Sequence, residues 1–189
     1  MLGNQDPQEY LDRALDALQS GSDWRAILDA LPAPIYVTDT EGAVTYWYRA
    51  CVALAGREPQ LGKDRWCVTW KIYATTGERV PHDQCPMADA IRTRKIVRDS
   101  VAIALRPDGS RIAFRPYPTP LFDKDGTFTG AVNMLVDVTQ EQAVALREEA
   151  RRCRRIADAM YDRTTREMLA AMASGFEKTA RELAPDGGA

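Results

Sequence analysis

Histidine is nearly absent from this chain: His82 is the only one in 189 residues. A lone imidazole supports neither a HExxH metal site nor a Ser-His-Asp order, and no glycine-rich phosphate loop is present. Long apolar runs are missing too. No stretch approaches the roughly 20 apolar residues that cross a bilayer. The first residues, Met1 to Pro7, lack the basic-then-apolar pattern of a secretory signal. Charge of one sign is also lacking. A net charge of -2 offers no broad basic surface, so neither nucleic acid nor membrane is expected as a partner. The four cysteines (Cys51, Cys67, Cys85 and Cys153) are scattered, with no CxxC pair. Without an export signal they read as reduced thiols, which places the expected site of action in the cytoplasm. These absences point away from catalysis and toward work done by protein contact.

What is present suits one folded domain with appendages. Hydrophobic residues make up 45% of the chain, enough for a core, and charged residues 28%, enough to keep its surface wet. The element that organises the rest is Phe128 to Thr139. Val132, Met134 and Val136 alternate with Ala131, Asn133 and Leu135, so both faces of this strand are largely apolar. Such a strand belongs in the middle of a sheet, covered on both sides. It runs directly into a helix through Asp137-Val138-Thr139, with Thr139 as expected N-cap and Gln142 completing a capping box.

Before it, Asp6 and Pro7 open a helix with the apolar stripe Tyr10, Leu11, Ala14, Leu15 and Leu18. Ser20-Gly21 ends it, and Ser22 can start a second short helix that Pro32 and Pro34 close. Strands are expected at about 34–39 and 43–48, then a short helix from Arg49 to Ala55 stopped by Gly56. Residues 69–74 have strand composition. Pro86 suits the first turn of a helix carrying Met87, Ala88, Ala90 and Ile91. Strands follow over 97–105 and 111–121, the latter with Pro116, Pro118 and Pro120 at alternate positions, which marks an edge or a departure from the sheet. After residue 139 come two helical segments parted by Asp162-Arg163-Thr164, where Thr164 and Glu167 form a second capping pattern. The stripe Met168, Leu169, Met172, Phe176, Ala180 and Leu183 favours a helical hairpin over one long rod. The reading is α+β, with a five-stranded antiparallel sheet and helices on one side. Its parts are an N-terminal helical cap (1–30), a core domain (31–139), a C-terminal helical hairpin (140–185) and a frayed end (186–189).

The order of these pieces resembles a PAS domain. Leu31 to Ala50, with Thr38-Asp39 and Gly42 at its turn, is similar to the opening PAS hairpin. Asp108-Gly109 and Asp125-Gly126 fall where later hairpin turns belong, and Asp137-Val138-Thr139 resembles the family's ending. One departure is Tyr48, where the family often has Asn. The resemblance implies a sensory or adaptor protein of bacterial signalling style. It also implies a hollow walled by Tyr36, Tyr46, Tyr48, Trp66, Trp70, Met87, Ile91, Phe114, Asn133 and Leu135, with Asp137 and Thr139 as the signal junction. A protein partner, and a homodimer through the N-terminal helix, fit the same picture. A kinase output does not: the tail holds no histidine to phosphorylate and no ATP-binding domain.

Three alternatives stay open on the residues alone. The hollow either takes a small molecule or is filled by its own side chains, in which case the protein is a constitutive scaffold. His82 and Cys85 form a His-x-x-Cys pair that could hold haem or sense redox state. Otherwise no cofactor is implied. The basic knot Arg151-Arg152-Cys153-Arg154-Arg155 sits in a tail of nearly balanced charge, so it reads as a solvated helix face, with an acidic partner as the lesser reading.

Overall fold

The computed structural model describes residues 6–20 and 23–184. The start at Ser22 and the frayed end at 186–189 lie outside the described residues. Helix α1 (Pro7–Ser20) begins as the sequence predicts, with Asp6 accepting from the Gln8 amide at 2.9 Å. Helix α2 (Trp24–Ala30) is capped by Asp23. Strands β1 (Ile35–Thr38) and β2 (Val44–Trp47) form the first hairpin, and α3 (Ala50–Ala55) stops at Gly56 in the left-handed conformation. Then come β3 (Lys71–Tyr73), β4 (Arg79–Val80), a 3-10 turn (His82–Gln84) and α4 (Pro86–Thr93). Strands β5 (Ala102–Leu105), β6 (Arg111–Pro116), β7 (Thr119–Phe122) and β8 (Phe128–Asp137) complete the sheet. Helices α5 (Thr139–Ala159) and α6 (Arg163–Leu183) end the described chain.

The sheet is antiparallel, in the order β2-β1-β8-β6-β5-β3-β4, with β7 also paired to β8. The last strand is central, as its two apolar faces require. β8 holds β1 along residues 131–134 on one side, and β6 and β7 on the other. The eight strand segments contain the expected five strands. One of these is broken at Tyr117-Pro118 into β6 and β7, and the small β3–β4 hairpin is added at the rim. The alternating prolines explain the break. β7 pairs with β8 alone, so Pro120 needs no second ladder. Gly130 makes the β1–β8 approach possible: a Cβ there would lie 2.1 Å from the Thr38 carbonyl oxygen.

The alternation in β8 sorts the core into two layers. Ala131 and Leu135 join Tyr36, Phe114, Ile112, Met87 and the helices α3 and α4 on one face. Val132 and Met134 join Ile35, Leu11, Leu28 and Leu31 on the other. The domain's own helices α3 and α4 thus lie on one side, and the terminal helices cover the opposite face. The α1 stripe is consumed there: Leu11 and Ala14 are fully buried against the molecule's own sheet. Fully burying side chains such as Leu11 and Leu28 contributes about 1.5–3 kcal/mol each.

The tail is a hairpin. α5 and α6 pack antiparallel around Ala150, Cys153 and Ala173, with Arg154 paired to Glu177. Their bases sit on the β5–β6 part of the sheet, where Ala143, Leu146, Ala180 and Leu183 meet Ile103 and Ala113. Arg111 pairs with Glu182 at 3.2 Å across that contact. Both predicted capping boxes need correction. Thr139 is the first residue of α5 rather than its cap, because its hydroxyl is taken by the sheet. Asp162, not Thr164, caps α6, accepting from the Thr165 amide at 2.7 Å. Among the described residues no helix is long and apolar enough to cross a membrane.

Candidate functional site

The α3/α4 face of the sheet carries one buried polar chain in an otherwise apolar layer. Asn133, 2% exposed, stands on β8 between Ala131 and Leu135. Its Nδ2 donates to the Tyr36 hydroxyl at 2.9 Å. That hydroxyl donates to the Trp66 carbonyl at 2.8 Å. Asn133 Oδ1 accepts the Tyr117 amide at 2.9 Å, an amide shared with the Met134 carbonyl at 2.9 Å. The chain therefore runs from the strand break at Tyr117, through the central strand and β1, to the loop at Trp66. Burial, with Cys67 and Cys85 close by, pushes the Tyr36 phenol well above the ordinary tyrosine range, so it stays a neutral donor.

Trp66 is the unusual link. Its φ is 61°, left-handed geometry that bulky side chains rarely adopt. This turns its carbonyl into the core, where Cys85 Sγ also approaches at 3.9 Å. The ring lies over Gly42: a Cβ at Gly42 would come within 2.4 Å of it. Such a backbone state costs on the order of 1–3 kcal/mol and persists only where its surroundings hold it. Here the Tyr36 hydroxyl and the Trp66 amide to Gly42 carbonyl bond, 2.7 Å, do so.

Beside this loop runs a surface groove of about 340 Å³, lined by Arg57, Lys63, Asp64, Arg65, Trp66, Cys67, Thr69, Trp70 and His82. Arg57 and Asp64 are ion-paired within it. His82 Nε2 is buried in the groove wall without a hydrogen-bond partner. Burial, then the Arg57 charge, lowers the His82 pKa, which favours the neutral ring.

The structure gathers Tyr36, Met87, Phe114, Asn133 and Leu135 in the one layer, with Trp66 and Ile91 packed at its margin. It separates the rest. Tyr46 belongs to the opposite layer, edge-on to Trp24 at 5.0 Å and hydrogen-bonded to Asp29, because alternation along β2 sends it there. Tyr48 has left the strand, and its hydroxyl accepts from Arg49 Nε at 3.1 Å. Trp70 is exposed at the groove rim, with the Lys71 ammonium 4.0 Å over its ring. His82 and Cys85 do not form a shared ligand set. Cys85 is buried in the core and does not line the groove, and burial pushes its thiol up to about 12, away from the thiolate an iron would need. These two residues do not fit haem. Sequence reasoning missed Cys51 and Cys67, which join Cys85 in this core, Cys67 Sγ lying 3.1 Å from Thr69 Oγ1. Their scatter along the chain gave no signal of it.

The junction is at the far end of β8. Thr139 Oγ1 donates to Asp137 Oδ1 at 2.6 Å and accepts the Ala113 amide at 3.1 Å, while Asp137 Oδ1 also accepts the Thr139 amide at 2.9 Å. The Val138 amide donates to the Ala113 carbonyl at 3.0 Å. The start of α5 is thereby bolted to β6.

A central last strand, a helix-walled polar core and an outgoing helix locked to that strand define a signal-sensing domain. The chain belongs to the PAS fold family, whose model matches residues 28–143. No curated protein matches. Solved structures with a similar fold include a LOV domain of a blue-light activated histidine kinase from Erythrobacter litoralis. It is 23% identical, spans 57% of this chain and 96% of the other, and has a TM-score of 0.44. A LOV protein from Rhodobacter sphaeroides is 10% identical over 97% and 100% of the two chains, with a TM-score of 0.47. A PAS domain from Colwellia psychrerythraea is 18% identical over 61% and 94%, with a TM-score of 0.42.

Proposed function

We propose that this protein is a non-catalytic sensory adaptor of a cytoplasmic signalling pathway. An event at the Trp66–Tyr36–Asn133 chain changes how β8 and β6 hold the α5–α6 hairpin, and the hairpin then binds or releases a partner protein. One observation carries the reading: a single strand bears both ends of the device. Asn133 faces the buried polar chain, and four residues later Asp137 begins the clasp on Thr139 and Ala113. A ligand that takes the Tyr36 hydroxyl would free the strained Trp66 loop, open the groove beside it, and shift the population of docked hairpin. The free, buried cysteines suit a reducing compartment.

The test is hydrogen exchange of residues 139–184 in Asn133→Ala against the wild type. The expected result is faster exchange in α5 and the base of α6, while β3 and β4 stay unchanged. Equal exchange throughout the hairpin would refute the coupling. A second reading, a constitutive scaffold with a filled core, is favoured by one fact: Asn133 and Tyr36 already satisfy each other within the protein. Native mass spectrometry separates the two. A retained small molecule supports the sensor, and a bare chain whose hairpin ignores Asn133→Ala supports the scaffold.

A further inference from the structure

The hairpin is longer than the sheet it rests on. At its base the seam includes sheet residues Ile103 and Ala113, but beyond Ala150 the packed cluster contains hairpin residues alone. About ten residues of each helix, on the order of 15 Å, therefore overhang the domain. On α6 the positions Met168, Met172, Gly175, Thr179 and Glu182 follow at three- and four-residue spacing and share one stripe. At the base that stripe faces the sheet: Thr179 is buried and Glu182 pairs with Arg111. At the tip the same stripe is bare, with Met168 57% and Met172 46% exposed. On α5 the stripe Glu149, Arg152, Ile156 and Met160 lies on the same flank of the antiparallel seam, and Ile156 and Met160 are exposed as well. Tyr161, fully exposed, stands at the turn between them.

We propose that this overhanging flank is the contact between two copies of the chain, joined tip to tip as a four-helix bundle about a twofold axis. Three features select a second copy. The patch continues the face that already docks on the sheet, so its apolar residues are placed for packing. Its rim carries one acid and one base, Glu149 and Arg152, paired at 3.7 Å, so a twofold contact can set each against the other's counterpart. An acidic partner would find its charges elsewhere: Arg151, Arg154 and Arg155 lie off this stripe. Finally, five large apolar side chains per copy would bury on the order of 1,200 Å² in total, the lower edge of specific interfaces, which fits a micromolar dimer. The α1 stripe cannot serve, since it is buried in its own domain.

Sedimentation equilibrium of the full chain over 1–200 µM tests this, with Ile156→Glu and Met168→Glu as variants. Both residues are exposed, so circular dichroism and melting should match the wild type. The expected result is a dimer whose dissociation constant rises at least about tenfold in either variant. A wild type that is monomeric throughout overturns the proposal. So does a dimer indifferent to both substitutions, which would place the contact elsewhere, and so does a monomer that cosediments with vesicles rich in anionic lipid, which would make the tip a membrane anchor. Hairpin exchange in Asn133→Ala is scored separately, so a failed dimer leaves the sensor reading standing and the reverse also holds.

Discussion

Tyr36→Phe removes one oxygen from the centre of the buried chain and almost nothing from the packing. Two groups lose their partner. Asn133 Nδ2 loses its acceptor, and the Trp66 carbonyl loses its 2.8 Å donor, keeping only the thiol of Cys85 at 3.9 Å. Each orphaned buried group costs about 1–3 kcal/mol, and the Trp66 carbonyl recovers part through small shifts. The expected loss is about 2–4 kcal/mol, a large share of the roughly 5–15 kcal/mol that holds a domain folded. For a chain of this length that lowers Tm by roughly 5–15 °C in a thermal melt followed by circular dichroism. Tyr46→Phe is the control. Its hydroxyl bonds Asp29 at the half-exposed edge of the other layer, so its loss should stay below about 1 kcal/mol. Equal melting of the two variants would show that the buried chain does not hold the loop, and the coupling argument would fail with it.

Two further outcomes follow from the same packing. Gly130→Ala drives a Cβ into the Thr38 carbonyl at a φ of 143°, so β1 and β8 must separate locally; we expect more than about 3 kcal/mol of destabilisation in urea melts, and a variant as stable as wild type would disprove the close approach. Alkaline pH should also weaken the fold. Burial raises the Cys85 thiol from 9.0 to about 12 and pushes Cys51 and Tyr36 up as well. The unfolded chain then ionises first, so the stability these groups contribute is complete below about pH 9 and is lost as pH rises toward 12. Urea midpoints measured from pH 7 to 10.5 should fall above pH 9, and a flat profile would count against buried thiols.

The fold was legible because its signals are local and repeated. The two-faced pattern of β8 set it at the sheet centre, the Asp-Gly turns spaced the hairpins, and the 3–4 stripe of α6 marked a helix that needed a partner. Asn133 stood out as an amide on a face that had to be buried. Tyr46 and Tyr48 did not sort correctly, because which face a short strand shows, and where it ends, depends on register rather than composition. Thr139 looked like a cap, yet the Ala113 backbone claimed its hydroxyl, a competitor distant in the sequence.

Sequence alone determined the strand periodicity, the helix starts at Asp6 and Pro86, and the absence of nucleophile-base motifs, since each depends on neighbouring residues. Only the tertiary structure decided that Asn133, Tyr36 and Trp66 meet, that three scattered cysteines share one core, and that half of the hairpin overhangs the sheet. Those facts arise from contacts between residues far apart in the chain, and no local pattern encodes them.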